Sequence, residues 1–255
     1  MKKFWKKTSL FLVTAAMTVS APLMAWALEH DIVILHTNDI HCGINDNIGF
    51  AGLAQIKKDA LARTPNVALV DAGDAIQGAP IGKLSRGLAV VDIMNYLGYD
   101  FCIPGNHEFD YGMDRFLELV PLQRAGYYCA NFVYAGNNKQ VLPGYKIMQY
   151  EDTKVAFVGA STPESLTTST PTFFQNEKGK YIYSFCEDKT GNKLYKQLQK
   201  NVDKARKDGA DYVFIVGHLG MDGTTPQWSS ESVAKNTQGV DAVIDGHSHE
   251  RFTRM

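Results

Sequence analysis

Cysteine is scarce in this chain of 255 residues, and its four cysteines lie far apart. No Cys-x-x-Cys pair occurs, which argues against a structural zinc site built from thiolates and against a thioredoxin-like redox motif. The residues are Cys42, Cys102, Cys129 and Cys186, and the sequence does not choose among their three disulfide pairings. Cys102 and Cys129 lie within apolar, strand-like runs, so we expect both to be isolated buried residues.

An excess of basic charge is missing as well, because 26 lysine and arginine residues are matched by 27 aspartate and glutamate residues. A surface that binds a nucleic acid polymer needs a clustered basic excess, so we expect no such partner. Internal repeats and low-complexity tracts are also absent from the sequence. A chain of this length has room for one large hydrophobic core, and we expect one folded domain.

The sequence also lacks a hydrophobic run long enough to span a membrane. The best candidate, from about Leu10 to Val19, is too short and is soon followed by Pro22. Lysines precede this run, and Ala25 and Ala27 place small residues at an A-x-A-like cleavage site. These features predict a signal peptide over residues 1–27 and export to the periplasm or the exterior, with no permanent membrane anchor.

What the sequence does contain is an alternation of short β-branched runs with longer amphipathic segments. Strands are predicted over residues 31–37, 66–71, 100–103, 127–132, 154–159, 211–216 and 240–244. Helices are predicted around residues 53–60, 89–97, 113–124 and 194–205, and a long surface loop over 167–180. This alternation favours an α/β architecture, in which ligands gather at the carboxyl ends of the strands.

Side chains that can bind metal ions directly follow five of the predicted strands. In chain order they are Asp39, His41, Asp74, Asn106, His107, His218, His247 and His249. Five of the seven histidines therefore fall just past the end of a strand. Histidines scattered over a surface would not follow this pattern.

Each of these motifs is a weak signal when it is taken alone. Asp74 could end a strand or cap a helix, and His218 could be a hydrogen-bonded structural residue. His36 lies inside the first predicted strand, and we expect it to be part of the packing. His247 and His249 form the strongest single motif, since alternate residues leaving a strand can address two neighbouring points.

Taken together and in this order, the five motifs resemble those of the calcineurin-like metallophosphoesterase superfamily. The segments from Asn38 to His41 and from Gly105 to Asp110 look like those of its bacterial periplasmic 5′-nucleotidase and UDP-sugar hydrolase branch. The resemblance covers the chain from about Ile32 to His249. It implies an α/β fold, a metallophosphatase-type α-β-β-α sandwich of mixed sheets. In relatives, closing strands and a nucleoside-binding domain follow, so we expect residues 28–255 to be a catalytic domain without them.

The resemblance also implies a role for each side chain at the strand ends. One divalent ion would be bound by Asp39, His41 and His249, a second by Asn106, His218 and His247, and Asp74 would bridge the two. Oxygen and imidazole ligands suit manganese, zinc, iron or a similar metal, whose identity stays open. A hydroxide activated by both ions would attack phosphorus. His107 would donate a proton or a hydrogen bond to the leaving oxygen, and Asp110 would orient that imidazole.

Two neighbours of these residues receive other interpretations. Glu108 is expected, by resemblance, to point into the fold. Cys42 follows a ligand directly, where related sequences commonly carry a glycine, and could be a soft extra ligand or an oxidation-sensitive neighbour. A tolerated substitution in the loop is the preferred interpretation, because the ligand set is already full.

The expected activity is the metal-dependent hydrolysis of a small phosphate ester, with a nucleotide as in the 5′-nucleotidases the first choice. A 2′,3′-cyclic-nucleotide phosphodiesterase/3′-nucleotidase or a UDP-sugar hydrolase is an alternative within the same class, and a thiosulfate-ester hydrolase is a more distant one. A catalytically silent, truncated metal-binding fragment is the alternative from a different class. The sequence does not determine the oligomeric state.

Overall fold

The computed structural model describes residues 31–221, 225–250 and 253. The predicted signal peptide over residues 1–27 lies outside these ranges. Within them, no helix is both long and apolar enough to cross a lipid bilayer.

The first sheet contains three parallel strands in the order β1-β2-β3. They are β1 (Val33–Thr37), β2 (Val67–Asp71) and β3 (Phe101–Cys102). Parallel neighbours need crossover connections, and helices supply them. These helices are α1 (Gly49–Leu61) before β2, and α2 (Pro80–Ser85) and α3 (Leu88–Leu97) before β3, with α4 (Met113–Leu119) after it. The crossovers return each strand in the same direction, so the three carboxyl ends share one edge.

The second sheet contains four strands in the order β5-β6-β8-β9. They are β5 (Tyr145–Tyr150), β6 (Thr153–Ser161), β8 (Tyr212–His218) and β9 (Ala242–Ile244). The first pair forms an antiparallel hairpin, whereas β6, β8 and β9 are parallel. The long helix α6 (Asn192–Lys207) connects β6 to β8, and α7 (Ser230–Asn236) precedes β9.

The two sheets pack face to face, and helices cover their outer faces. Val70 and Phe101 of the first sheet meet Phe157 and Val216 of the second in one buried cluster. The rings of Phe101 and Phe157 lie 5.7 Å apart between centroids. Separate buried clusters join the first sheet to α3 and α4, and the second sheet to α6 and α7. The expected α-β-β-α sandwich of mixed sheets is thus confirmed.

A cluster of phenylalanines supports the segment that follows β3. Phe109, in the short 3-10 helix His107–Phe109, is fully buried. Its ring centroid lies 4.8 Å from that of Phe116 in α4 and 5.2 Å from that of Phe174. Phe132 and Phe185 complete the cluster next to the two-stranded sheet of β4 (Val133–Tyr134) and β7 (Tyr183–Ser184). This packing fixes the backbone next to His107.

The strand predicted over residues 127–132 is wrong. The backbone of this segment pairs with both large sheets in turn: Tyr128 N–H donates to Cys102 in the first sheet, and Ala130 N–H donates to Gly159 in the second. Because the segment crosses from one sheet to the other, it does not form a strand of either sheet. No strand was predicted at β5, which pairs with β6 across a turn at Glu151 and Asp152.

The long surface loop predicted over residues 167–180 is also wrong in part. It overlaps the short helix α5 (Ser165–Thr168) and includes a 3-10 helix (Pro171–Phe174) whose Phe174 is fully buried. His36 was expected to be part of the packing, but its side chain is exposed. Among the described residues, its strand β1 pairs with β2 alone and lies at the edge of its sheet.

The four cysteines are buried and unpaired. Cys102 and Cys129 are fully buried, as expected of small apolar residues in the core. The Sγ of Cys42 packs closely against Gly82 of α2, and burial raises the pKa of this thiol to about 12. A thiol that stays protonated is a poor metal ligand, which supports the interpretation of Cys42 as a tolerated loop residue.

Candidate metal centre

The loops after β1 and β2 lie side by side at the carboxyl edge of the first sheet. Thr37 and Asp71, at the ends of the two strands, are in register. Beyond them the backbone N–H of Asp39 donates to Gly73 and that of His41 donates to Asp74, each at 2.9 Å. These two hydrogen bonds extend the pairing past the sheet and bring the side chains of both loops to one place.

The loop after β3 approaches equally closely. A Cβ atom at Gly105 would collide with the carboxylate of Asp74, so only glycine fits at this position. The backbone N–H of His107 donates to Asp74 Oδ1 at 2.8 Å. This close approach places Asn106 and His107 at the same centre as the first two loops.

Asp39, His41 and His249 form one group of potential metal ligands, with all ligand atoms within 4.8 Å of one another. His249 Nε2 lies 3.4 Å from Asp39 Oδ1 and 3.4 Å from His41 Nε2. His41 Nδ1 lies 3.2 Å from the carbonyl oxygen of Gln77, to which its N–H donates. The carbonyl thus fixes the tautomer of His41 and turns Nε2 towards the group.

Asp74, His218 and His247 form a second group within the same distance limit. His218 Nε2 lies 3.1 Å from Asp74 Oδ2 and 3.2 Å from Asn106 Oδ1. The Nδ1–H of His218 donates to the carbonyl oxygen of Ala72 at 2.8 Å, which again leaves Nε2 for a ligand. The structure therefore brings Asn106 into this group together with the three other side chains.

Asp74 joins the two groups. Its Oδ2 atom lies 3.1 Å from His218 Nε2 in one group and 3.8 Å from His41 Nε2 in the other. Two adjacent dications repel each other and need negative charge between them. The buried carboxylate of Asp74 occupies the position where that charge is needed.

The backbone at this centre is strained. Five of the seven candidate ligands have a positive φ, namely Asp39, His41, Asp74, His247 and His249. Each such non-glycine conformation costs roughly 1–3 kcal/mol and persists only where surrounding structure enforces it. Backbone strain concentrated at one set of residues is typical of a functional site.

The electrostatics of the centre suit a cation. Burial lowers the pKa of His218, but the charge of Asp74 outweighs it and raises the pKa to about 10. Burial raises the pKa of Asp74, and the neighbouring His218 reverses this and holds it well below its usual range. The negative potential that keeps a proton on His218 would equally attract a divalent ion, which would displace that proton. Imidazole and oxygen donors without a thiolate fit manganese, zinc or iron.

His107 and Asp110 form a separate pair at the edge of the two groups. His107 Nδ1 donates to Asp110 Oδ2 at 2.6 Å, and the imidazole remains 35% exposed. Its ring centroid lies 5.2 Å from that of His41. The hydrogen bond to Asp110 raises the pKa of His107, which favours the protonated form. This imidazole therefore lies beside the two groups in a form that can donate a proton.

Glu108 lies beneath the centre and holds its loops together. Its buried carboxylate accepts backbone hydrogen bonds from Asp74, Ala75 and Ile76 in the loop after β2. It accepts a fourth from Gly105 in the loop after β3. The resemblance predicted that Glu108 points into the fold, and the structure identifies which backbone groups it binds there.

Two residues at the centre were missed in the sequence analysis. Glu164, in the turn after β6, has its Oε2 atom 3.4 Å from His247 Nε2. Ser169, just beyond α5, donates its hydroxyl to Asp110 Oδ1 at 2.9 Å. Neither residue belongs to one of the five motifs, and Ser169 lies within the surface loop predicted over residues 167–180.

The sequence is similar to those of known nucleotidases over most of its length. A snake venom 5′-nucleotidase from Gloydius brevicauda is 29% identical over 259 residues, which cover 94% of this chain and 40% of that relative. A 2′,3′-cyclic-nucleotide 2′-phosphodiesterase/3′-nucleotidase from Haemophilus influenzae is 27% identical over 272 residues, with the same coverage of both proteins. The chain thus spans about 40% of the length of the curated relatives it matches.

The fold comparison gives a similar result. The crystal structure of the calcineurin-like phosphoesterase YfkN from Bacillus subtilis superimposes with a TM-score of 0.74 at 25% sequence identity. The match covers 88% of this chain and 74% of that one. The sequence profile of the calcineurin-like phosphoesterases matches residues 32–251, a range that includes all candidate ligands. The chain belongs to the calcineurin-like phosphoesterase family.

Proposed function

We propose that this chain hydrolyses the phosphate esters of nucleotides with the help of two divalent metal ions. The observation that carries the proposal is the convergence of seven ligand side chains in two adjacent groups, with Asp74 between them. Asp39, His41 and His249 would bind one ion, and Asn106, His218 and His247 the other. The identity of the metal is left to experiment.

When bound, such ions acidify water and neutralise the negative charge of a phosphoryl group. The residues of the chain place a carboxylate between the two groups and supply a proton donor. Asp74, anchored through Oδ1 by the N–H of His107, keeps Oδ2 between the two groups. His107, held through Nδ1 by Asp110, presents Nε2 to the leaving oxygen and donates a proton there. A general acid of this kind typically contributes about 10²–10⁴-fold to the rate.

The protein offers room for a substrate next to this acid. A cavity of about 640 Å³ adjoins Asp110 and is lined also by Gln77, Lys83 and Thr168. Lys83 supplies a positive charge on its wall, and the other lining side chains are mostly polar. A polar cavity with a cation suits the remainder of a phosphorylated small molecule rather than an apolar group.

Nucleotides are the preferred substrate class because nucleotidases are prominent among the relatives. The Haemophilus influenzae relative favours a second candidate, a 2′,3′-cyclic-nucleotide phosphodiesterase/3′-nucleotidase. UDP-sugar hydrolysis is a further alternative at the same centre. The proposed partner is a small phosphate ester. We also propose that the protein is exported to the periplasm or the exterior, with residues 1–27 as its signal peptide.

The proposal is tested by dialysing the chain against EDTA, restoring Mn(II) and assaying p-nitrophenyl phosphate, AMP, UDP-glucose and 2′,3′-cyclic AMP. We expect EDTA to abolish hydrolysis and Mn(II) to restore it, with AMP turned over fastest among the nucleotides. Faster turnover of 2′,3′-cyclic AMP would select the second candidate. A chain that binds Mn(II) and hydrolyses none of the four would be a silent metal-binding fragment, and the proposal would fail.

A further inference from the structure

The turn after β6 contacts a candidate metal ligand through Glu164. The side chain of Glu164 is only 9% exposed, and its Oε2 atom lies 3.4 Å from His247 Nε2. Its backbone is well anchored: its N–H donates to Thr162 Oγ1, and its carbonyl oxygen accepts from the hydroxyls of Thr167 and Thr168. These contacts fix the backbone that carries the carboxylate, next to the imidazole.

The position of Glu164 determines which nitrogen of His247 faces the centre. A metal-binding imidazole commonly donates its second N–H to a carboxylate or a carbonyl, which fixes its tautomer and orientation. His41 and His218 do this through Nδ1, with the carbonyls of Gln77 and Ala72 as acceptors. His247 is arranged the other way round: Nε2 faces Glu164, which would leave Nδ1 for an ion.

The same segment reaches the proposed acid through Ser169. This buried serine donates its hydroxyl to Asp110 Oδ1 at 2.9 Å. The other oxygen of Asp110, Oδ2, accepts the Nδ1–H of His107 at 2.6 Å. Ser169 therefore holds the carboxylate from the side opposite His107 and limits its rotation.

We infer that residues 162–170 are a positioning segment that orients two imidazoles of the centre at once. Glu164 fixes His247 for the ion bound with Asn106 and His218, and Ser169 fixes the Asp110–His107 pair for proton donation. Ser169 also lines the cavity beside Asp110, but its hydroxyl is committed to Asp110 Oδ1, and Glu164 contacts His247, so we assign both residues an action through these neighbours. The inference rests on the proposed function and assigns a role to a segment outside the five motifs.

The test measures metal affinity and turnover separately in the full chain. Isothermal titration of Mn(II) into metal-free protein reports the affinity of each ion, and kcat is measured with Mn(II) in excess. For Glu164→Ala we expect one of the two affinities to fall by about 10- to 100-fold, the usual effect of losing such a carboxylate. Glu164→Gln should lose less, because its amide oxygen can still accept the N–H, and it carries the test if the alanine variant does not fold.

For Ser169→Ala we expect both affinities to stay at the wild-type values while kcat falls by about tenfold, a fraction of the contribution of a general acid. Ser169→Thr, which keeps the hydroxyl, should recover much of that loss. Thr172→Ala is the matched control, since Thr172 is an exposed residue of the 3-10 helix Pro171–Phe174, just beyond the segment. It should behave as wild type in both measurements.

The inference is overturned if both Glu164 variants bind the two ions as tightly as wild type, or if Ser169→Ala keeps full kcat. It is also overturned if Ser169→Ala weakens the metal affinity as much as Glu164→Ala does, since that would indicate general loosening of the segment. A wild-type chain that binds no Mn(II) or hydrolyses no ester contradicts the proposed function instead, which keeps the two failures apart.

Discussion

The buried carboxylate of Glu108 accepts a hydrogen bond from the backbone N–H of Asp74 at 2.8 Å, across 34 positions of sequence. Through its other contacts Glu108 also binds Ala75, Ile76 and Gly105. One side chain thus clamps the loop that carries Asp74, the proposed bridging ligand, to the loop that carries Asn106 and His107. The geometry of the centre depends on a residue that binds neither metal nor substrate.

Replacing Glu108 with glutamine should therefore destabilise the protein. The amide group of glutamine would bring N–H donors towards backbone N–H groups, leaving buried donors unpaired. We expect a loss of about 3 kcal/mol or more in the free energy of unfolding, since hydrogen bonds to a charged group contribute up to about 3 kcal/mol each. Urea unfolding measures this loss. Glu118→Gln, the same change at a residue whose side chain is 64% exposed, should change stability little.

Removing the proposed acid and removing the proposed bridge should have different effects. His107→Ala should retain two bound ions and lose about 10²–10⁴-fold in kcat, because it removes only the proton donor. Asp74→Ala should lose both metal and turnover, because it removes the negative charge between the ions. Metal analysis by inductively coupled plasma mass spectrometry and a phosphatase assay on the same samples distinguish the two. An active Asp74→Ala chain would refute the assignment of this residue.

The pH dependence of turnover should report the Asp110–His107 pair. The hydrogen bond to Asp110 raises the pKa of His107, so the protonated acid persists to higher pH than for an isolated histidine. The rate then falls as pH rises through that pKa. Asp110→Asn lowers the pKa of His107 and should move the alkaline limb of the kcat profile to lower pH. An unchanged alkaline limb would assign it to another group.

Lys83 should influence binding rather than chemistry. It is an exposed residue in the wall of the cavity that adjoins Asp110. Lys83→Gln should raise KM for UDP-glucose, which carries a second phosphate, by up to about fivefold, the equivalent of an exposed ion pair of about 1 kcal/mol. KM for p-nitrophenyl phosphate should not change. Lys58→Gln, at an exposed lysine of α1, is the control, and an equal effect there would exclude a specific role for Lys83.

Much of this fold could be predicted from the sequence because its central strands are short, apolar and β-branched. The prediction placed β2 over residues 66–71 and the structure has it at Val67–Asp71. Residues after such strands are near one another in any parallel sheet, which is why Asp39, Asp74 and Asn106 could be grouped before any coordinates. The roles of these side chains stay predictions until metal binding is measured.

What the sequence could not predict depends on contacts between distant segments. Glu164 and Ser169 lie in a polar, turn-rich stretch with no periodicity, and their partners are 83 and 59 positions away. Residues 127–132 have the composition of a strand, yet Tyr128 and Ala130 pair with different sheets. Local composition predicts strand propensity, whereas tertiary packing decides which neighbour a segment pairs with.

Hydrolysis by two metal ions is tested most directly by titrating Mn(II) into metal-free wild-type chain, with bound ions and hydrolysis of p-nitrophenyl phosphate measured on the same samples. We expect two ions to bind per chain and turnover to appear in step with occupancy of both sites. Full turnover in the presence of EDTA, or two bound ions with no turnover at any occupancy, would contradict this expectation.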